Sequence, residues 1–374
     1  NLRWSKIKSL FVNEYNGKMF YLTNRLGLDA LITPGHKMVT KERGLVPVEK
    51  LKTQDHIILT GLPCEDGPGQ YSNEFIEFVG WCVTEGQFLR GKRTFNIRLF
   101  QKQGRKSDKI RKCLIHLKIP FKEYRRGMMV NWSLKDSFYV REIFKVAPNR
   151  ILSNDFILSL TQEQRILLIK TMVDGDGWSN KNGLPIGYVQ KCKQHVDQFL
   201  FLCTLAGLIV SCHKRDIVSF GKETFVYQMN IYQKSNLYCK CEGTNFHGGF
   251  NSYHGGYRRT KQPNFPTVDY HGMVWCPETE FGSFMCRRGS KIFLTGNTFK
   301  EEMISDGILR AIEVFNNYDC ERWNNPFAYF TKVIFQTYVQ RIKKEKDERK
   351  KRDNLIMVSD IYSLQEGDDC SITK

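Results

Sequence analysis

Two acidic residues, Glu85 and Asp176, end two copies of one short pattern: residues 78–86 read FVGWCVTEG and residues 169–177 read IKTMVDGDG. Each copy is an apolar, helix-like run closed by an acid and a glycine. One copy alone is ordinary, because glycine suits the left-handed turn that ends a helix. Two copies suggest a pair of helices meeting side by side, with Glu85 and Asp176 converging at the bottom. Converging carboxylates that hold a divalent metal against phosphate are a known means of hydrolysing a phosphodiester.

The elements that must position these acids recur as well. Thr161 and Gln164 form a capping box at the start of the second helix, and Ser72 stands where a cap would open the first. After the first acid comes an alternating basic segment over 94–100, then Gln101 and Lys102. After the second comes 186–189, then Gln190 and Lys191. Each Gln-Lys pair precedes a helical pattern that closes near 118–120 or 206–208. A repeated helix–strands–helix unit is much harder to obtain by chance than a repeated motif.

On these residues the stretch 71–240 resembles the LAGLIDADG homing endonucleases in their single-chain, two-repeat form. The resemblance implies αββαββα repeats whose motif helices pack through small residues, with two four-stranded sheets forming a saddle over double-stranded DNA. It makes Glu85 and Asp176 the ligands of Mg²⁺ or another divalent cation. Lys102 and Lys191, with Gln101 and Gln190, become the polar residues near the cut phosphates, in a monomeric enzyme. Val83 stands where the first motif usually has an earlier acid. Lys170 and Thr171 replace small residues at the seam, so a looser helix contact is expected.

Charge agrees with a DNA partner. Lysine and arginine number 57 against 39 acids, for a formal charge of +18. A basic surface neutralises phosphates and releases counterions before any base is read. Between 90 and 126 the basic residues interleave with Phe95, Phe100, Phe121 and Tyr124, as on strands with one cationic face. No apolar run approaches the length of a membrane helix, and no signal peptide is evident, so the cytoplasm is the expected location. The 12 cysteines form no disulfide framework. Only Cys239, Cys241, His247 and His254 have ligand-like spacing, a candidate zinc site within a stretch that reads more simply as a linker.

The flanks carry a different chemistry. Residues 30–39 read as a strand interrupted by Thr33-Pro-Gly-His36, a strand-like 46–59 follows, and 284–297 ends in Asn297 before Thr298. An asparagine side-chain nitrogen can attack its own carbonyl and break the next peptide bond as it cyclises, and a hydroxyl can accept an acyl group as an ester. Taken alone, Gly-Asn-Thr is simply a turn. In this order the flanks, 1–63 and 265–297, resemble the Hint splicing domain of an intein. The resemblance gives Thr33 and His36 the upstream scissile peptide, Asn297 the cyclisation, Thr298 the first downstream host position and Cys276 an assisting role. Gly296 stands where many inteins have histidine. The chain opens at Asn1 on segments 6–12 and 17–23 that read as interior strands, so the first intein strands are expected to be missing and splicing unaided is not expected.

Downstream, Met303, Ile304, Ile308, Ala311, Ile312 and Phe315 recur at helical spacing, and Asn325-Pro326 reads as a cap with proline at the first helical position. Segments 302–308, 325–331 and 340–345 resemble the region 2-like helices of late-transcription sigma factors of tailed phages. That implies host RNA polymerase as a partner, in a bacterial cytoplasm. Phe327, Tyr329 and Phe330 are assigned mainly to core packing.

The expected fold class is therefore α+β and multidomain: a two-repeat αββαββα endonuclease (71–245) inserted in an all-β Hint domain (1–63 and 265–297), followed by an α-helical segment (298–374). The expected function is an intein-borne endonuclease cutting the intein-free allele, with splicing chemistry at Asn297 and Thr298. The rivals are a sigma-factor fragment with an inactive insertion, and a decayed nuclease that binds without cutting.

Overall fold

The computed structural model describes residues 2–24, 28–63, 66–91, 94–219, 222–232, 238–241, 265–296, 307–319 and 325–340. The chain forms two compact units, 1–297 and 298–374.

The first unit opens with five strands: β1 (Ile7–Thr23), β2 (Asp29–Ile32), β3 (Lys37–Thr40), β4 (Gly44–Pro47) and β5 (His56–Ile58). The Thr33–His36 turn separates β2 from β3, because proline withholds a ladder donor. A helical module follows, in the order α1 (Asn73–Glu85), β6 (Gly86–Arg90), β7 (Phe95–Lys102), α2 (Arg105–His116), β8 (Phe121–Arg126), β9 (Met129–Leu134) and α3 (Phe138–Val146). After a short α4 (Asn154–Ser159) the pattern repeats as α5 (Gln162–Asp176), β10 (Gly177–Ser179), β11 (Pro185–Gln190), α6 (Lys193–Leu205), β12 (Ile209–Ser219) and β13 (Lys222–Tyr232). The unit ends with β14 (Tyr238–Lys240), β15 (Thr267–Thr279), β16 (Ser283–Arg288) and β17 (Lys291–Gly296).

The two halves of the module build the same sheet, β6-β7-β9-β8 in one and β10-β11-β13-β12 in the other. Both motif helices start as their sequences dictate. Ser72 Oγ accepts from Phe75 N at 3.3 Å, and Thr161 and Gln164 exchange both bonds of a capping box. From Phe75 to Thr84, every α1 residue except Glu77 is buried, which marks a helix at the centre of the module rather than on its surface. α2 and α6 end alike. Lys118 (φ 52°) and Gly207 (φ 71°) both take the left-handed conformation. The next amide, Ile119 or Leu208, then bonds back to Leu114 or Cys203.

The flanking strands form sheets β15-β1-β2 and β14-β5-β3-β4 plus the hairpin β16-β17, around a second core that includes Leu22, Met38, Leu51, Ile57 and Phe293. Two expectations change here. Segments 6–12 and 17–23 are one strand, and its first half is not interior: Ile7, Leu10 and Val12 are exposed, because among the described residues only β15 pairs with that half. Residues 238–240 pair with β5, and Cys241 is buried in the second core, so this stretch sits with the flanking strands and not with a module running to 245.

In the second unit, residues 307–313 and 326–340 are helical. Asn325 Oδ1 accepts from Ala328 N at 3.2 Å, the expected cap before Pro326. Phe330 stacks on Phe315 and Tyr329 meets Tyr318 edge-on, while Phe327 is 80% exposed and so falls outside the expected packing. Among the described residues no helix is long and apolar enough to cross a membrane.

Candidate active site

α1 and α5 meet through equivalent residues. A Cβ on Gly80 would lie 2.7 Å from Thr171 Cγ2, and one on Gly175 would lie 2.3 Å from Thr84 Oγ1. Gly80 and Thr171 hold the same place in the two copies, as do Thr84 and Gly175. Each level of the seam therefore pairs one glycine with one threonine across the pseudo-two-fold axis. The looser contact expected from Thr171 does not occur, because the facing helix supplies the space. Lys170 points away and is exposed. Both threonines satisfy their hydroxyls on the preceding turn, Thr84 on Gly80 O and Thr171 on Leu167 O, each at 3.0 Å.

One residue beyond this contact lie Glu85 and Asp176, both half-buried. Burial, and then the charge of Asp176, push the Glu85 carboxyl up to about 7, against the pull of Lys106, Arg150 and a hydrogen bond from Gln101. Burial also raises Asp176, opposed by Gln190, Arg150 and Lys106. Gln190 Nε2 donates to Asp176 Oδ2 at 2.7 Å and to Tyr188 Oη at 2.9 Å. The buried Tyr188 stacks on Phe199, so this arm is fixed by the core of the second repeat. A shallow cleft lined by Thr84, Glu85, Gln87, Phe88, Phe100 and Arg150 opens beside Glu85.

The sequence-predicted residues divide into two groups. Gln101 and Gln190 reach the acids. Lys102 and Lys191 lie exposed at the ends of β7 and β11, directly after those glutamines, with no bond to either carboxylate. Sequence reasoning missed Arg150 and Lys106. Arg150 donates from Nε to Val83 O at 2.8 Å and from Nη2 to Thr84 O at 2.7 Å, and Lys106 Nζ donates to Gly175 O at 3.1 Å. Both complement the negative end of a helix. Neither falls in the repeated motif, so its spacing gave no signal for them.

Among the described residues no group of three or more His, Cys, Asp or Glu could hold a metal ion by itself. The two acids do suit a hard dication that takes its other ligands from water and phosphate. Their raised, mutually repelling carboxyls are what such an ion would relieve.

The outward face of the first sheet is basic. Ile97, Leu99, Val130 and Trp132 point into the core, which leaves Arg98, Lys102, Lys122 and Arg126 on the exposed side with Tyr124. The β7–β9–β8 register aligns Lys102 with Met129 and Arg126, and Arg98 with Ser133 and Lys122.

In the flanking domain, His36 Nε2 and Thr295 Oγ1 are 2.6 Å apart. Burial pushes the imidazole down to about 4. His36 N donates to Thr33 O at 3.0 Å. A Cβ on Gly296 would lie 2.5 Å from Lys37 O, so β17 ends against the strand that follows the Thr33–His36 turn. Thr295 was not anticipated. Cys276 is half-buried on β15 opposite Phe11, nine residues along β1 from Phe20, the partner of Ile32. Asn297 and Thr298 lie outside the described residues, as do His247 and His254 of the candidate zinc site. Cys239 lies on β14, and Cys241 is 1% exposed among apolar side chains.

No protein-family model matches the chain, and no curated protein is detectably similar to it. Among solved structures, mesophilic variants of the homing endonuclease I-DmoI are similar over 44% of this chain and 90% of theirs, at 13% identity and a TM-score of 0.32. I-DmoI in complex with DNA and Mn is similar over 43% and 89%, at 13% identity and a TM-score of 0.31. The homing endonuclease I-WcaI bound to its DNA recognition sequence is similar over 43% and 77%, at 12% identity and a TM-score of 0.29.

Proposed function

We propose that the two-repeat module is a divalent-metal-dependent endonuclease that cuts double-stranded DNA. The observation that carries this reading is the seam of equivalent residues, Gly80 on Thr171 and Thr84 on Gly175, which delivers Glu85 and Asp176 together, half-buried and with raised carboxyls. Glu85 and Asp176 would hold the cation, which when bound would polarise phosphate and lower the pKa of water. Gln190 orients Asp176, with Tyr188 bracing it, and Gln101 reaches Glu85. Lys102 and Lys191 neutralise phosphate at the strand ends, while Arg98, Lys122 and Arg126 hold the duplex backbone over the exposed sheet face.

The flanks support intein chemistry in the same reading. Neutral His36, bonded to Thr295, would polarise a peptide beside Thr33. Asn297 would then cyclise: its side-chain nitrogen bonds to its own carbonyl carbon, a proton passes to the leaving nitrogen, and the Asn297–Thr298 peptide breaks. The nuclease target is then the uninterrupted copy of the host gene, and residues 298–374 belong to a host protein of the sigma type that binds RNA polymerase. The nuclease is tested by selecting duplexes from a randomised library in Ca²⁺ and transferring them to Mg²⁺. Cleavage at one position within the selected sequence is expected. Selection without cleavage would leave a DNA-binding protein, the decayed-nuclease reading.

A further inference from the structure

Arg150 belongs to neither repeated unit. It follows α3 in the connection between the two halves, beside Asn149, and both have positive φ, 53° for Asn149 and 69° for Arg150. Two successive residues with a Cβ in the left-handed region are disfavoured, so the surrounding contacts must hold them there.

Contacts come from both halves. From the second repeat, the half-buried His195 of α6 donates to the Asn149 backbone, and its other ring nitrogen, Nδ1, is buried without a hydrogen-bond partner. Towards the first repeat, the Arg150 guanidinium spans the two carbonyls just before Glu85, those of Val83 and Thr84. The counterpart of Thr84 O in the other helix is Gly175 O, which takes Lys106 from α2 instead. Each carboxylate helix thus has its final turn fixed by a cation, but the two cations come from unrelated places. Lys106 is a flexible point donor, whereas Arg150 is a rigid fork on a constrained backbone.

Resting on the nuclease reading, we infer that Arg150 is a positioning residue for cleavage: with His195 behind it, it is the strut through which the second repeat fixes the direction of Glu85. It acts by bonding the last turn of α1, with no hydrogen bond of its own to the Glu85 or Asp176 carboxylate.

The test uses the full chain as wild type, Arg150→Lys, His195→Ala and the double variant, on one duplex selected in Ca²⁺. Lysine keeps the charge but cannot span both carbonyls. The single-turnover Mg²⁺ cleavage rate of Arg150→Lys should fall about ten- to a hundredfold, as when a support behind a metal ligand is lost. Mn²⁺ affinity, read by paramagnetic resonance, should weaken with it, while duplex affinity in EDTA stays at the wild-type value and the melting temperature falls only by the few degrees that one lost hydrogen bond costs. His195→Ala should lose less, and the double variant no more than Arg150→Lys, because the two act in series. An Arg150→Lys protein with wild-type rate and Mn²⁺ affinity would overturn the inference, as would a rate loss matched by lost duplex binding and a larger fall in melting temperature than that. A wild type that cuts no duplex overturns the nuclease reading itself and the cleavage role with it. A cutting wild type with an indifferent variant overturns Arg150 alone.

Discussion

At the scale of single residues, the acids are distinguished by their surroundings more than by their identity. Glu85 sits where burial and Asp176 disfavour its charge, so its proton is held more tightly in the folded chain than in the unfolded one. The unfolded state therefore releases that proton first as pH rises. The metal-free protein should lose stability between the ordinary carboxyl range and about 7, with no further change from this group above that. Melting temperatures measured in EDTA from pH 5 to 8 should therefore decline relative to those of Glu85→Gln, the comparison that cancels the opposite contribution of the depressed His36. Mg²⁺ should restore the loss at the upper end by binding the folded state. A difference between wild type and Glu85→Gln that does not change with pH would mean that Glu85 is solvated and not poised for a cation.

The acids themselves were legible in the sequence because they close a repeated motif. Arg150 and Lys106 were not, because each reaches the site through a contact that only the tertiary fold creates. The same holds for Thr295, which becomes a partner of His36 only when β17 crosses to the start of β3. The looser seam expected from Thr171 failed for a related reason. Threonine in one helix is read correctly only beside the glycine it faces in the other.

At the scale of elements, the glycine–threonine seam and the helix ends make sharp predictions. Gly80→Ala should destabilise the module by about 1–3 kcal/mol, the usual cost of overpacking, since its Cβ would press on the branched Thr171. Thr171→Gly should recover part of that loss, which chemical denaturation of the single and double variants would measure. Lys118 offers the opposite case. It occupies the left-handed position that glycine fills at the end of α6, so Lys118→Gly should stabilise by about 1 kcal/mol. Gly207→Ala should destabilise, both from its φ and from contact with Leu62. Equal effects at the two sites would show that the helix ends are not equivalent. Element order was readable because capping residues and apolar periodicity are local. The single long β1 was not, since continuity through 13–16 is imposed by pairing with β15.

At the scale of the whole molecule, charge and architecture point the same way. A formal charge of +18 predicts duplex affinity that falls steeply with salt. Lys102→Gln or Lys191→Gln should each weaken binding across all sequences and reduce the slope of log affinity against log salt by about one. A change confined to one base position would instead assign that lysine to base reading. The flanking strands meet the two-repeat module through bonds such as Ser290 to Cys212 O, at 2.9 Å. One unit thus carries two candidate chemistries, with separate cores, and variants at Glu85 should leave the His36–Thr295 pair undisturbed.

The most direct measurement is Mg²⁺-dependent hydrolysis of a selected duplex by wild type and by a Glu85→Gln/Asp176→Asn double variant, followed strand by strand, with duplex binding measured in Ca²⁺-free buffer. The wild type should cut both strands at one site, and the double variant should bind the same duplex while losing cleavage by about a thousandfold or more. Undiminished cutting by the double variant, or a selected duplex that the wild type never cuts, would contradict the assignment of these two carboxylates as the catalytic centre.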